Sequence, residues 1–249
     1  DLAVIGGGSG GLACAQRAAE YGARAVVIEA ARLGGTCVNV GCVPKKVMWN
    51  AAELAAGLED AAEYGFALDV RGLEFAALKG RRDAYVARLN DIYASNLGKR
   101  GVALIRGHAR LAGAHEIAIG GRTILAERIV IATGGRPQRA QFPGGEHCID
   151  SDGFFELGAL PARTLVAGSG YVAVELAGIL AGLGSRVTLA IRFDRVLRSF
   201  DTMLGDGAMQ GLRNAGVEIV TGATAASLAR RGSTLELTLV DGRVLPPVD

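Results

Sequence analysis

The sequence predicts an α/β protein built from two doubly wound domains, each with a parallel sheet. Two observations carry this prediction. A short apolar strand runs into a glycine-rich turn and then a helix at Gly6, and the same unit recurs at Gly168. The composition agrees, because 50% of the 249 residues are hydrophobic and 37 glycines accompany only 6 prolines. The predicted domains are residues 1–138 and 139–249, with a crossing segment rich in Pro, Gly and charge at 138–161.

The first glycine turn has the pattern G-x-G-x-x-G at Gly6, Gly8 and Gly11. Gly6 permits a tight turn, Gly8 lets the backbone approach a pyrophosphate, and Gly11 allows close packing of helix on strand. Glu29 ends the next strand, where its carboxylate can accept hydrogen bonds from ribose hydroxyls. The predicted strand, helix and strand of this unit are residues 2–5, 12–21 and 25–29. This unit therefore predicts a dinucleotide site.

The second glycine unit differs from the first at the end of its second strand, the position expected to contact the ribose. Its second strand ends at Arg192, and Arg198 follows in the same loop. An acid at this position would repel a 2′-phosphate, whereas guanidinium groups recognise one. The predicted strand, helix and strand are residues 164–167, 172–183 and 186–191. We therefore expect the second site to bind NADPH rather than NADH.

The remaining segments predict further regular structure. A helix is expected at residues 83–97, and one long strand at 122–132 follows a Gly-Gly turn. A hairpin is expected to pair residues 234–240 with 243–245 around an Asp-Gly turn. Other expected strands are residues 102–106, 109–111, 116–119 and 218–220.

Composition excludes several classes of protein. Lys+Arg 27 against Asp+Glu 25 leaves a net charge of +2, which does not favour nucleic acid or a polybasic membrane contact. No apolar run approaches the roughly 18 residues of a transmembrane helix, no signal peptide precedes the first strand, and no metal site is expected. We expect a cytoplasmic protein without a membrane partner.

Residues 34–46 hold two of the four cysteines, Cys37 and Cys42. In a regular helix, Cα atoms five residues apart are roughly 8–9 Å apart, beyond the reach of a disulfide. Bridging therefore needs an irregular turn, for which Gly41 would supply backbone freedom. Pro44 suits the first turn of a helix expected to continue over residues 45–57. Sulfurs at that helix N-terminus should favour the thiolate.

The string G-G-T-C-V-N-V-G-C-V-P-K-K at residues 34–46 resembles the redox-active disulfide of the glutathione reductase family, the flavin-dependent pyridine nucleotide–disulfide oxidoreductases. The resemblance covers essentially the whole chain, but only a little over half of a full family member. It implies two Rossmann-like FAD/NAD(P)-binding domains, with FAD in the first and NADPH in the second. It also implies a homodimer whose dimerisation domain and general acid lie beyond residue 249. We therefore expect no appreciable turnover from residues 1–249 alone.

The resemblance also implies roles for individual residues. Cys42 matches the flavin-proximal thiol, and Cys37 matches the thiol that attacks the substrate disulfide. Lys45 matches a lysine near the flavin, with Lys46 as the alternative, and Glu175 matches its ion-pair partner. Tyr171 matches an aromatic lid over the nicotinamide. The other residues implied in cofactor binding are Ser9, Gly10, Thr36, Ala109, Thr133, Gly134, Ser169, Gly170 and Val172; those implied in substrate binding are Ser9, Tyr93 and Asn96.

The leading hypothesis for the substrate is glutathione disulfide. Trypanothione reductase, mercuric reductase and dihydrolipoamide dehydrogenase are the nearby alternatives, and a nucleotide-binding fragment without turnover is the more distant one. Lys45-Lys46 departs from the Ser-Lys usual in the latter two enzymes. Ala13 and Gln16 occupy positions where trypanothione reductases tend to place an acid and a tryptophan, so they suit an anionic substrate.

Overall fold

The computed structural model describes residues 1–249 and contains two compact units. Unit 1 comprises Asp1–Lys45 and Gly80–Arg136, and unit 2 comprises Lys46–Lys79 and Pro137–Asp249. None of the helices combines the length and the apolar character that a membrane crossing requires.

The helices and strands fall into two series along the chain. The first series is β1 (Leu2–Ile5), α1 (Ser9–Glu20), β2 (Ala25–Glu29), α2 (Gly35–Asn39), α3 (Cys42–Asp60), α4 (Phe75–Lys99), β3 (Ala103–Arg106), β4 (Arg110–Gly113), β5 (Glu116–Ile119), β6 (Arg122–Leu125) and β7 (Arg128–Ile131). The second series is α5 (Ser151–Phe154), β8 (Arg163–Ala167), α6 (Tyr171–Gly182), β9 (Arg186–Ala190), α7 (Thr202–Asn214), β10 (Glu218–Val220), β11 (Ala225–Arg231) and β12 (Thr234–Leu239). Single 3₁₀ turns occur at Ala61–Tyr64 and Gly145–His147.

Unit 1 is built on a parallel sheet with the strand order β3-β2-β1-β7. Both faces of this sheet are covered, which explains why its strands are continuous apolar runs. On one face Val4 and Val27 pack with Leu12 of α1 and Leu97 of α4. The antiparallel sheet β4-β5-β6 covers the other face. There Ile117 and Ile119 of β5, with Ala126, form a second buried cluster with Ala3 of β1 and Ile28 of β2.

Unit 2 repeats the parallel arrangement with the order β10-β9-β8. The antiparallel pair β11-β12 contributes Leu237 and Leu239 to a cluster that includes Ala190 of β9 and, partly buried, Leu165 of β8. The prediction of an α/β fold with parallel sheets around Val4 and Val166 is therefore confirmed.

Residues 46–60 of α3 belong to unit 2, although α3 begins in unit 1. Small residues of α6 explain this assignment. A Cβ atom on Gly182 would lie 2.9 Å from the Cβ of Ala52, and one on Gly178 would lie 3.5 Å from the Trp49 ring. The two compact units therefore differ in their bounds from the predicted domains 1–138 and 139–249. The division into two functional domains stays a prediction.

Several predicted elements need correction. The long strand at 122–132 is two strands, because β6 pairs antiparallel with β5 whereas β7 pairs parallel with β1. The helix expected at 83–97 is the longer α4. The predicted pairing of residues 234–240 with 243–245 is present in part, since Thr238 and Val244 form an antiparallel bridge and the Leu239 N–H donates to the Arg243 carbonyl at 2.8 Å. The main partner of β12 is β11, which was not predicted. Helix α7 was not predicted.

Candidate functional site

The glycine turn between β1 and α1 is shaped by close backbone contacts. Gly6 has φ +111°, and a Cβ there would overlap the carbonyl oxygen of Ala132 at the end of β7. A Cβ on Gly11 would overlap the carbonyl oxygen of Gly6. Helix α1 begins at Ser9 with no side-chain cap and no acidic residue in its first turn. Its N-terminus therefore offers backbone N–H groups and a positive dipole end to an anion.

Glu29 lies beside this turn at the end of β2. Its two carboxylate oxygens accept hydrogen bonds from the backbone N–H groups of Gly7, at 2.5 Å, and Ala31, at 2.6 Å. These bonds fix the direction of the carboxylate and leave each oxygen one further lone pair. The geometry is suitable for the predicted contact with a ribose hydroxyl.

The segment that begins the cysteine-bearing region packs directly on the same glycine turn. The Gly34 N–H donates to the Gly7 carbonyl at 2.8 Å, and Gly8 forms a parallel bridge with Gly34. Gly34 and Gly35 are both left-handed, with φ +97° and +62°. A Cβ on Gly35 would lie 2.7 Å from the Gly8 Cα. Backbone contacts therefore hold helix α2 against the glycine turn.

Cys37 lies in α2, Cys42 is the first residue of α3, and both are free thiols in the structure. Gly41 lies in the irregular break between the two helices, as predicted, and its φ is not left-handed. A Cβ there would lie 2.8 Å from the Thr36 carbonyl oxygen and 3.3 Å from the Cys37 Cα. Gly41 thus brings the two helix ends together by close approach, which places the Cys42 side chain and backbone beside Cys37.

The contacts of Cys37 act on its pKa in both directions. The hydrogen bond that the Cys37 S–H donates to the Cys42 sulfur has the largest effect and, with partial burial and the Coulombic interaction with Cys42, raises the pKa of the Cys37 thiol above its ordinary value. The Cys42 backbone N–H and the Ser9 hydroxyl act in the opposite direction, because both stabilise a thiolate. The helix N-terminus is present, as predicted, and its preference for a thiolate stays a prediction for the pair of cysteines.

An amide network that sequence reasoning missed holds α2 to α4. The Asn90 side-chain amide donates to the Leu33 carbonyl at 2.7 Å and to the Asn39 side-chain oxygen at 3.1 Å. Asn39 donates in turn to the carbonyls of Leu33, at 3.0 Å, and Gly35, at 2.9 Å. The only sequence signal was a pair of asparagines inside helices, where this residue is unfavourable without a specific partner.

A cavity of about 240 Å³ lies beside Ser9, which also contacts Cys37. Its wall contains Ser9 and Tyr93, two of the three predicted substrate residues, but Asn96 is not part of it. The other residues of the wall are Leu12, Ala13, Gln16 and Gly34. The structure therefore places Ala13 and Gln16 of α1 in the same cavity wall as Tyr93.

The remaining predicted residues of unit 1 lie around the same sheet edge or on α3. Thr133 and Gly134 follow β7, and the Thr133 nitrogen would lie 3.1 Å from a Cβ on Gly6. Ala109 packs among the partly buried residues between the two sheets of unit 1. Lys45, in the first turn of α3, donates its backbone N–H to the Gly41 carbonyl at 3.0 Å. Gly10 and Thr36 are exposed near the starts of α1 and α2.

In unit 2 the corresponding turn joins β8 to α6. Gly168 has φ +145°, and its N–H donates to the Ala190 carbonyl at 3.0 Å. Helix α6 follows Gly170 without a side-chain cap, and its first residue, Tyr171, is 61% exposed. Val172 is also exposed, whereas Glu175 lies one turn further along α6. An exposed ring at this position is free to move as the predicted lid requires.

The two predicted arginines both contact the ring of Phe193, a residue that was not predicted from sequence to have a role. The guanidinium carbons of Arg192 and Arg198 lie over the Phe193 ring, 4.8 Å and 3.5 Å from its centroid. Leu197, the only non-glycine residue with positive φ, donates its N–H to the Ser169 carbonyl at 2.7 Å. The arginine loop is thereby tied to the glycine turn.

A larger cavity of about 450 Å³ lies elsewhere in unit 2, with Arg163, Ser185 and Arg186 in its wall. It opens at the amino ends of β8 and β9, whereas ligands of parallel sheets bind at the carboxyl ends. Arg163 already pairs with the Asp249 carboxylate at 2.5 Å. The cavity carries none of the predicted site residues.

The chain is similar to known proteins in both sequence and fold. The chain is 48% identical to a glutathione reductase of Schizosaccharomyces pombe over 89% of its length, and 46% identical to that of Yarrowia lipolytica over 93%. It covers 50% and 52% of those two proteins, so it spans about half the length of these curated relatives.

Similar solved structures include the HOCl-induced flavoprotein disulfide reductase RclA of Escherichia coli, with a TM-score of 0.86 at 27% identity, covering 100% of this chain and 55% of that one. A Cu(II) complex of RclA matches with the same TM-score at 26% identity, over 100% and 54% of the two chains. The family model described as pyridine nucleotide-disulphide oxidoreductase matches residues 1–247. The chain therefore belongs to the pyridine nucleotide-disulphide oxidoreductase family.

Proposed function

We propose that the complete protein is an NADPH-dependent flavoprotein that reduces glutathione disulfide through FAD and the Cys37–Cys42 pair. One observation carries the proposal. The two thiols lie together where α2 ends and α3 begins, and Ser9 joins Cys37 to the cavity that Tyr93 and Gln16 line. A thiol pair beside a cavity and an uncapped helix N-terminus suits reduction of a disulfide substrate.

FAD fits the first glycine turn on the evidence of the turn itself. Gly10 has no atom within 4 Å of a Cβ position, so the backbone there is open to a ligand, and the α1 N-terminus is uncapped. We assign the pyrophosphate to this turn and the ribose to Glu29. The other residues assigned to FAD are Gly6, Gly8, Ser9, Gly11, Thr36, Ala109, Thr133 and Gly134. When bound, FAD supplies two-electron chemistry between reduced nicotinamide and the dithiol.

The dithiol performs the substrate step by thiol–disulfide exchange. The Cys37 thiolate attacks one sulfur of the substrate disulfide, forming a mixed disulfide and releasing one substrate thiolate, which takes up a proton. The Cys42 thiolate then attacks the Cys37 sulfur, which releases the second substrate thiolate and leaves a Cys37–Cys42 disulfide. The substrate gains two electrons and the cysteine pair loses two. The Ser9 hydroxyl and the Cys42 N–H stabilise the attacking thiolate.

Lys45 and Glu175 are assigned supporting roles. A lysine in the first turn of α3, next to the dithiol, provides a positive charge that stabilises negative charge developing nearby. Glu175 would orient that lysine as its ion-pair partner. This pairing stays a prediction from the family resemblance, with Lys46 as the alternative lysine.

NADPH is assigned to unit 2. The support is the uncapped N-terminus of α6 after Gly170 and the two guanidinium groups beside it in the loop after β9. Arg192 and Arg198 would bind the 2′-phosphate, and Tyr171 would cover the nicotinamide. The remaining residues assigned to this nucleotide are Gly168, Ser169 and Val172.

The cofactor assignment is tested by Arg192→Glu in the complete protein. Each bidentate contact to a phosphate contributes about 1.5–3 kcal/mol, which is roughly ten- to hundredfold in affinity. We expect the ratio of kcat/KM for NADPH to that for NADH to fall by at least tenfold. An unchanged ratio would reject the assignment of this loop to the 2′-phosphate.

The substrate assignment rests on the absence of acids from the cavity wall, which contains Ala13 and Gln16 where trypanothione reductases tend to place an acid and a tryptophan. Ala13→Glu should therefore lower kcat/KM for glutathione disulfide by about tenfold or more, because like charges at contact distance repel by about 1–4 kcal/mol near a protein surface. Ala94→Glu, exposed on α4 and outside the cavity wall, is the matched control.

The decisive assay measures NADPH oxidation by the complete protein with glutathione disulfide, lipoamide and trypanothione disulfide side by side. We expect a clear preference for glutathione disulfide. A preference for either of the other two substrates would replace this assignment with the corresponding family activity.

A further inference from the structure

We propose that Phe193 is a specificity-positioning residue, whose ring holds Arg192 and Arg198 together as a preformed receptor for a phosphate monoester dianion. The proposal rests on the assignment of NADPH to unit 2 and names the residue that makes the arginine pair effective. Arg192 and Arg198 were predicted from sequence, whereas a role for Phe193 was not.

Both arginines place their positive charge against the same ring. Both guanidinium carbons lie within the range of a cation–π interaction, at 4.8 Å for Arg192 and 3.5 Å for Arg198. The two groups would otherwise repel each other, and neither forms an ion pair with a carboxylate of this chain. The face of the ring carries partial negative charge, which offsets part of this repulsion.

The ring contact also leaves hydrogen-bonding groups of the two guanidinium ions available. A ring face has no lone pair, so contact with it does not use up the five N–H donors of a guanidinium. Both arginines are exposed, so these donors face solvent. Two planar donors that share one platform suit a tetrahedral dianion better than the single negative charge of a carboxylate.

Backbone hydrogen bonds hold the platform at the carboxyl edge of the parallel sheet. Before the ring, the Ile191 N–H donates to the Val220 carbonyl at 2.8 Å. After it, Val196 is fully buried and the Leu197 N–H donates to the Ser169 carbonyl at 2.7 Å. The left-handed φ of +53° at Leu197 is unfavourable for a branched side chain, so this backbone turn is held by its surroundings.

The ligand chemistry follows from this position. The loop follows β9 and contacts the turn that precedes α6, where a parallel sheet of this type binds nucleotides. A phosphate group bound by the two arginines would therefore belong to the ribose of a nucleotide on that turn. Because the ring orders the donors before the ligand arrives, less side-chain freedom is lost on binding.

The test compares Phe193→Leu with Phe200→Leu in the complete protein. Both changes remove a ring and keep an apolar side chain, but Phe200, 47% exposed in the same loop, has no cation over it. Calorimetry measures the Kd for adenosine 2′,5′-bisphosphate and for adenosine 5′-monophosphate. We expect Phe193→Leu to weaken the bisphosphate about three- to tenfold, with the monophosphate unchanged. Phe193→Tyr should restore tight binding, and Phe200→Leu should resemble the wild type.

Two results would overturn the proposal. One is a Phe193→Leu variant with wild-type affinity for the bisphosphate, and the other is an equal loss for both ligands, which would indicate general damage to the loop. The double change Arg192→Ala and Arg198→Ala separates this from the cofactor assignment. If the double arginine variant shows no selective loss of bisphosphate binding, the NADPH assignment fails. If the double variant shows that loss and Phe193→Leu does not, only the proposed role of Phe193 fails.

Discussion

Gly41→Ala is the most direct test of how the chain juxtaposes its two thiols. The added Cβ would lie 2.8 Å from the Thr36 carbonyl oxygen, 3.2 Å from the Thr36 carbonyl carbon and 3.3 Å from the Cys37 Cα. All three are backbone atoms, so no side chain can rotate away to make room. Either residues 36–37 or the start of α3 must move, and Cys37 then moves relative to Cys42.

The cost is that of overpacking a well-packed site, about 1–3 kcal/mol. The φ of Gly41 adds nothing to this cost, because it is not left-handed. Alanine also restricts the unfolded chain, which stabilises by about 0.4–1 kcal/mol. Gly57→Ala is a control for that effect, because Gly57 lies within α3 and a Cβ there meets no atom within 4 Å.

Two measurements on the complete protein are needed. At about 2–4 °C per kcal/mol, the thermal midpoint of Gly41→Ala should lie about 2–12 °C below that of Gly57→Ala. The equilibrium between dithiol and disulfide, measured in glutathione redox buffers, should also shift toward the dithiol, with about 1.4 kcal/mol corresponding to 30 mV. If both variants have the same midpoint and the same redox equilibrium, then close approach at Gly41 does not position the thiols.

Two further predictions concern the surroundings of the dithiol. Asn90→Ala removes an amide that donates two hydrogen bonds to the segment around α2, and should cost about 1–3 kcal/mol in thermal or denaturant unfolding, whereas exposed Asn214→Ala should change stability by less than about 0.5 kcal/mol. In the reduced protein, Cys42→Ala should lower the pKa of Cys37 and Ser9→Ala should raise it further, as read from the pH dependence of iodoacetamide alkylation. Because the folded pKa of Cys37 is raised above its unfolded value, its contribution to stability is present below the unfolded pKa and is lost as pH rises through the folded pKa. Shifts of the same sign in the two variants would contradict the assignment of these contacts.

The parts of the fold that could be predicted from sequence are those with short-range signals. The strands at Leu2–Ile5, Ala25–Glu29 and Glu218–Val220 have the predicted bounds, because a brief apolar run between turn residues leaves few alternatives. The break between β6 and β7 could not be predicted, since it arises because β7 pairs with the distant strand β1 whereas β6 pairs with its neighbour β5. The pairing of β11 with β12 across a two-residue turn is local in sequence and was nevertheless not predicted.

The candidate site divides in the same way. Motif residues such as Gly6 and Glu29 could be proposed from sequence because their chemistry depends on local spacing. The contacts of Asn90 and Phe193 could not, because they depend on what the fold places beside these residues, in one case a carbonyl 57 residues away in sequence. A helix N-terminus beside the cysteines can likewise be inferred from sequence, whereas the contact between Cys37 and Cys42 that raises the pKa of Cys37 cannot.

Backbone contacts join the first glycine turn to the cysteine-bearing segment. Gly8 and Gly35 approach so closely that a Cβ on Gly35 would lie 2.7 Å from the Gly8 Cα, and Gly34 is hydrogen-bonded to Gly7. A shift of the glycine turn would therefore move α2, and with it the backbone of Cys37. For the FAD site that we propose at the α1 N-terminus, these contacts would hold α2 in place before the ligand arrives.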